Sequence, residues 1–209
     1  MKGASAETRG GAERIGLPPP ALDRQMTVEA AIRSRRSIRE FGPGSITIDE
    51  ISQILWAAQG ITDRAGYRAA PSAGALYPLE ISLIAGDIRS LPAGIYRYSP
   101  PAHALDAGSA GDRRAAIAEA ALSQRWIADA AAILILAAVE ERTTVKYGRR
   151  GIRYVHIEIG HAAQNVYLQA AALGLGTTIV GAFKDNEVKD VANLRRDETP
   201  LCLLPIGRH

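Results

Sequence analysis

Cysteine is almost absent from this chain: Cys202 is the one thiol in 209 residues. No intrachain disulfide can form, and no cysteine cluster can hold a metal. Histidine is scarce too, with four scattered residues and no HExxH-type spacing, so no metal site is expected. Aromatic residues make up 5% and the net charge is only +3. With no aromatic interleaved among the arginines at 35–39, a nucleic-acid surface is not expected. The longest apolar run, Ala130 to Val139, falls short of the roughly 20 residues that span a bilayer. Met1 to Arg14 is rich in Gly, Ala, Glu and Arg and lacks the apolar stretch of a secretory signal. A cytoplasmic protein without a membrane partner is the expectation.

What is present is ample core material, 47% hydrophobic, enough for one domain. Met1 to Gly16 reads as a disordered tail, and residues 17–209 as a single domain. Thr27 can cap a short helix through Ser34. Thr47-Ile48-Asp49-Glu50 has the pattern of a capping box, followed by Ile51, Ile54, Leu55 and Ala58 at helical spacing and a stop at Gly60. Leu79 to Ala85 and Ile133 to Val139 read as strands, the second buried on both faces. Ile95–Tyr98 and Ala102–Leu105 flank a hairpin turn at Ser99-Pro100-Pro101. Asp112 to Gln124 and Ile152 to Leu173 read as helices, the longer one with Ile157, His161, Gln164 and Leu168 along one face. Thr177–Val180 and Leu201–Ile206 are further strands, and Asp185 caps a short helix. Helices and strands mix without regular alternation, which predicts an α+β fold.

Three segments carry chemistry. Arg35-Arg36-Ser37-Ile38-Arg39 offers planar guanidinium forks and a hydroxyl that suit a phosphate, although a solvated basic stretch has the same composition. Pro71-Ser72-Ala73-Gly74-Ala75-Leu76-Tyr77-Pro78 and Gly174 to Phe183 contain runs of small residues that let backbone approach a flat ligand, or simply make tight turns.

Together and in this order these segments resemble the FMN-dependent nitroreductase family, from about Leu17 to Gly207. The long helix with Gly160-His161-Ala162-Ala163-Gln164-Asn165, the Ala172-Leu173-Gly174-Leu175-Gly176 turn and the closing Pro205-Ile206-Gly207-Arg208 add to the resemblance. Leu55 to Thr62 and Lys146-Tyr147-Gly148-x-x-Gly151 are similar to the thiazole/oxazole-forming dehydrogenase branch, of the streptolysin-biosynthesis type, which oxidises azoline rings in peptides.

The resemblance implies a mostly antiparallel central sheet flanked by helices, in an intertwined homodimer that binds FMN. Arg35, Arg36 and Ser37 would bind the phosphate and ribityl chain. Arg39 would lie at the flavin pyrimidine edge, where a fixed cation stabilises the charge of the reduced ring. The turn Val180-Gly181-Ala182 would face ring nitrogen N5 through its backbone. Gln124 matches an amide that contacts the flavin, and Trp126 stands where some members have lysine. Pro71, Ser72, Ala73 and Gly74 would reach the partner subunit's flavin. Members of the family continue past the last strand with an arm onto the partner; here Arg208 is the candidate for a phosphate contact from that end.

Lys146 and Tyr147 have two readings. In the azoline-oxidising branch such a pair assists proton removal; between Glu140-Glu141-Arg142 and Arg149-Arg150, it is equally a solvated surface loop. His161 reads as a core histidine, and His103 carries no argument. NAD(P)H is the implied electron donor, with a small-molecule or peptide substrate. A flavin-binding protein without turnover, for storage or sensing, is the competing function.

Overall fold

The computed structural model describes residues 13–23 and 25–209 together with the backbone of residues 6 and 7. In chain order, β1 (Ala6–Glu7) and β2 (Arg14–Gly16) precede α1 (Val28–Ser34). Next come β3 (Ile46–Thr47), α2 (Ile48–Gln59), β4 (Leu79–Ala85), β5 (Ile88–Arg89), β6 (Gly94–Ser99) and β7 (Ala104–Ala110). Then follow α3 (Arg114–Ala120), β8 (Ala132–Ala138), α4 (Glu141–Tyr147), α5 (Arg150–Ala172), β9 (Gly176–Thr177), α6 (Asp185–Val191) and β10 (Thr199–Gly207).

Local chemistry explains several of the boundaries. The Thr27 hydroxyl accepts a hydrogen bond from the Ala30 amide at the start of α1. At α2 the capping box is complete. The Thr47 hydroxyl takes the Glu50 amide at 3.2 Å, and the Glu50 carboxylate takes the Thr47 amide at 2.8 Å. The expected helix over Asp112–Gln124 is shorter, because Leu122 and Ser123 take left-handed backbone (φ 60° and 58°) and end it. A 3₁₀ turn over Arg125–Asp129 follows.

Eight strands form one sheet in the order β1-β2-β7-β6-β4-β8-β10-β9, with antiparallel neighbours throughout. This is the α+β architecture the sequence predicts. β8 lies between β4 and β10, and each of its residues is buried, which accounts for its unbroken apolar run. One face of the sheet is covered by α2 and α5, with Ile51, Ile54, Leu55, Val155, Ile159 and Val166 in the shared core. The other is covered by α3 and α6 around Ile117, Ile127 and Val188. No helix among the described residues is long and apolar enough to cross a membrane.

Four expectations change. Residues 14–16, assigned to the tail, form β2 and pair with β7 (Ile15 opposite Leu105); residues 1–5 and 8–12 of that tail lie outside the described residues. α5 buries Val155, Ile159, Ala162, Ala163, Val166 and Ala170, so the face bearing Ile157, His161, Gln164 and Leu168 points away from the core. His161 is exposed rather than a core residue. Finally, the strand expected over Thr177–Val180 breaks after Thr177: Ile179 turns outward, and Val180 rejoins the sheet through an isolated bridge to Leu203.

Candidate functional site

The basic segment leaves the C-terminus of α1 and runs beside the C-terminal end of α5. Ser37 bridges Thr177 of β9, and the Ile38 amide donates to the Thr177 carbonyl at 3.0 Å. Arg35 lies over the Tyr167 ring, 5.3 Å from its centroid. Arg36 donates back to the Arg33 and Arg35 carbonyls. A cavity of about 240 Å³ opens here, lined by Arg35, Arg36, Tyr167, Leu175, Thr177 and His209 among others, with no acidic side chain in its wall. Arg39 is exposed two residues beyond Ser37.

Tyr167 ties this segment to the predicted N5-facing turn. Its phenol oxygen lies 3.2 Å from the Ser37 hydroxyl, 3.2 Å from the Thr178 hydroxyl, and accepts the Ile179 amide at 2.8 Å. Burial works to raise the phenol's pKa. The Ser37, Thr178 and Ile179 hydrogen bonds and the Arg35 charge outweigh it, leaving the pKa below its ordinary value. Gly181 and Ala182 are exposed, and a Cβ at Gly181 would meet nothing within 4 Å, so the turn presents open backbone. Gln124 braces the turn from behind: its carboxamide donates to the Ala121 and Ala182 carbonyls at 2.7 and 3.0 Å. Trp126 stacks against Phe41 with ring centroids 6.4 Å apart.

The second group of candidates gathers at the other end of α5. The Pro71–Gly74 loop enters a 3₁₀ turn over Ala73–Ala75. Gly74 (φ 64°), Ala75 (53°) and Tyr77 (46°) all adopt left-handed backbone. Lys146 and Tyr147, at the end of α4, lie over Gly74: a Cβ there would meet the Tyr147 hydroxyl at 2.8 Å and Lys146 Nζ at 3.0 Å. The pair is helical and packed against the loop, with Tyr147 edge-on to Tyr154 at 5.1 Å. Beneath the loop, the Ser72 hydroxyl accepts the Tyr77 amide, and the Pro71 carbonyl lies 3.3 Å from His161 Nδ1. Glu158, 2% exposed, completes this wall; burial holds its pKa above the ordinary carboxylate range despite Ser72, Arg68, Gln59 and His161. Tyr154 and Tyr167 are 13 residues apart on α5, about 20 Å along the axis. Within one protomer the two groups therefore do not meet.

A sequence profile of the Nitroreductase family matches residues 32–208, nearly the whole described domain. The chain belongs to the nitroreductase family. A protein of Methanocaldococcus jannaschii, provisionally named a nitroreductase, is 47% identical over 184 residues, 88% of this chain and 92% of that one. A crystal structure of a provisionally named nitroreductase from Ralstonia eutropha superposes with a TM-score of 0.82 at 26% identity, covering 100% of this chain and 95% of the other. The microcin B17-processing protein McbC of Escherichia coli is 28% identical over 169 residues, 78% of this chain and 62% of that protein. At the general level the protein is a flavin-dependent oxidoreductase, as its family is.

The residues of this chain fit a flavin that carries a phosphate. The Arg35 and Arg36 side chains line a cavity with no acidic side chain in its wall, and the Ser37 hydroxyl lies between Arg36 and Ile38 of that wall, a donor set that suits a phosphate. An exposed backbone turn tied to that segment offers space for a flat ring. Arg208 does not join the set. Its guanidinium is held bidentately by Glu50 at 2.8 Å, clamping the end of β10 to the first turn of α2, while the neighbouring His209 lines the cavity instead. Tyr167 escapes a reading from sequence, since a tyrosine inside an amphipathic helix carries the signature of core packing. His103 does too, yet it bonds the Tyr98 and Ser52 hydroxyls at 2.9 and 2.8 Å and so pins the Pro18 segment to α2.

Proposed function

We propose that this nitroreductase-family protein binds FMN and works as a homodimer. It would pass hydride between NAD(P)H or an organic donor and an acceptor such as a nitro compound, a quinone or an azoline. The observation that carries this reading is the arginine-lined cavity, without an acidic side chain in its wall, joined through Tyr167 to the open Ile179–Ala182 turn. Arg35, Arg36 and Ser37 hold the phosphate, whose charge is constant through the reaction. Arg39 provides a fixed cation beside the pyrimidine edge, where negative charge develops on reduction. Gly181 and Ala182 offer backbone N–H groups toward N5. Bound FMN supplies a two-electron carrier that accepts and releases hydride.

The separation of the two groups along α5 supports a two-fold dimer. Antiparallel packing of two α5 helices would lay the Pro71–Gly74 end of one protomer against the Arg35–Tyr167 end of the other. The exposed flank of α5, with Ile152 and Ile157, and Val28 and Ile32 of α1 form the apolar surface such packing covers. Lys146 and Tyr147 then stand on the substrate side of the partner's flavin, where an ammonium and a phenol can hold or move a proton. Their position over Gly74, with the likeness to a microcin-processing protein, supports a peptide azoline as the organic donor.

The test is the absorption spectrum of the purified protein, followed by anaerobic mixing with NADH or NADPH and then a quinone. Bleaching of a flavin band by a nicotinamide and its recovery with quinone is the expected result. No flavin taken up from an FMN solution overturns the proposal, and bound flavin that no donor reduces replaces it with a storage role.

A further inference from the structure

The phenol of Tyr167 is buried at the junction of the cavity and the turn and has no chemical step of its own in the reading above. The ring is 8% exposed and lies on the face of α5 turned toward the phosphate segment. Its oxygen joins two stretches of chain to α5: Ser37 from the basic segment, and the Thr178 hydroxyl with the Ile179 amide from the turn that follows β9. Core packing alone would be served by phenylalanine. A phenol here satisfies the Ile179 amide, which the broken strand leaves without a ladder partner. It also holds the Ser37 hydroxyl, between Arg36 and Ile38 of the cavity wall, and Arg35 rests on its ring.

Resting on the FMN reading above, we propose that Tyr167 is a positioning residue that couples the phosphate grip to the ring-facing turn. Through one oxygen it sets the placement of Ser37 and of the Ile179–Ala182 backbone together. A ligand change at either end is therefore transmitted to the other: a displaced Ser37 alters the turn, and a displaced turn alters the phosphate contacts. Tyr167 lines the cavity, and its oxygen acts on the site through Ser37 and the turn.

Tyr167→Phe keeps the ring, the packing and the Arg35 contact and removes only the oxygen. The experiment titrates wild type, Tyr167→Phe, Ser37→Ala and the double variant with FMN and, separately, with riboflavin, alongside thermal unfolding of each. Ser37→Ala is expected to weaken FMN strongly and riboflavin only slightly, through the turn. Tyr167→Phe is expected to weaken FMN by roughly tenfold and riboflavin measurably as well, because the turn loosens along with the phosphate grip. The FMN losses of the two substitutions are expected to be smaller together than their sum, since both act through one hydrogen bond. Additive losses, or a Tyr167→Phe variant that binds both ligands like wild type, overturn the inference. Should Tyr167→Phe fail to fold, Thr178→Val carries the test: weakened binding of both ligands supports the coupling and unchanged binding refutes it. Wild type that binds no FMN overturns the FMN reading itself, a result distinct from each of these.

Discussion

Gly74→Ala is the perturbation whose size follows most directly from the structure. Gly74 has φ 64°, where an L side chain costs about 1–2 kcal/mol. The added Cβ would stand 2.8 Å from the Tyr147 hydroxyl and 3.0 Å from Lys146 Nζ, so both side chains must shift. Each is the far end of a flexible side chain, so the clash adds about 1 kcal/mol or less, in line with modest overpacking. The expected loss of stability is about 2 kcal/mol, which for a protein of this size lowers the melting temperature by roughly 4–8 °C. Turnover should fall further than stability does, because the two side chains displaced are the proposed proton-handling pair. Thermal unfolding and steady-state turnover of Gly74→Ala measured with and without Tyr147→Phe separate the two costs. Removing the hydroxyl relieves part of the clash and leaves the backbone cost, so Gly74→Ala should be less damaging in the Tyr147→Phe background. An equal cost in both backgrounds would refute the placement of Tyr147 over the loop.

Arg39→Ala should slow flavin reduction in single-turnover mixing more than it weakens FMN binding, whereas Arg35→Ala should do the reverse; weakened FMN binding with an intact reduction rate would remove Arg39 from the ring edge. Arg208→Ala should leave FMN affinity unchanged and lower the melting temperature, because its partner is Glu50, whose pKa it helps hold below the ordinary range against burial. Glu158 has its folded-state pKa raised above 4.5, so its contribution to stability is complete at lower pH and is lost as pH rises above the ordinary carboxylate range. Unfolding curves against pH should therefore show Glu158→Gln gaining on wild type toward neutral pH, and parallel curves would contradict the buried carboxyl.

Elements set by neighbouring residues were readable in the sequence. Leu79–Ala85 is the strand its composition predicts, and the Thr47–Glu50 capping box needs only a span of four residues. β2 was not readable, because three residues become a strand only by pairing with β7, which lies some 90 residues further on. On α5 bulk alone misleads: its buried side includes Ala162, Ala163 and Ala170 between branched residues, while the larger Ile152 and Ile157 are exposed. In the site, Arg35 lines the cavity beside Tyr167, and Lys146 with Tyr147 meets the loop at Gly74. The role of Arg208 was hidden because its partner Glu50 is 158 positions away, and Tyr167 because Ser37 is 130 positions away.

The central claim, a phosphate-gripping flavin site at Arg35–Ser37, is tested most directly by comparing the affinity of the wild-type protein for FMN and riboflavin, which differ only in the phosphate. Hydrogen bonds to a charged group contribute about 1.5–3 kcal/mol each, so FMN should bind at least roughly tenfold more tightly, with Arg35→Ala narrowing the gap. Equal affinity for the two ligands would contradict the account.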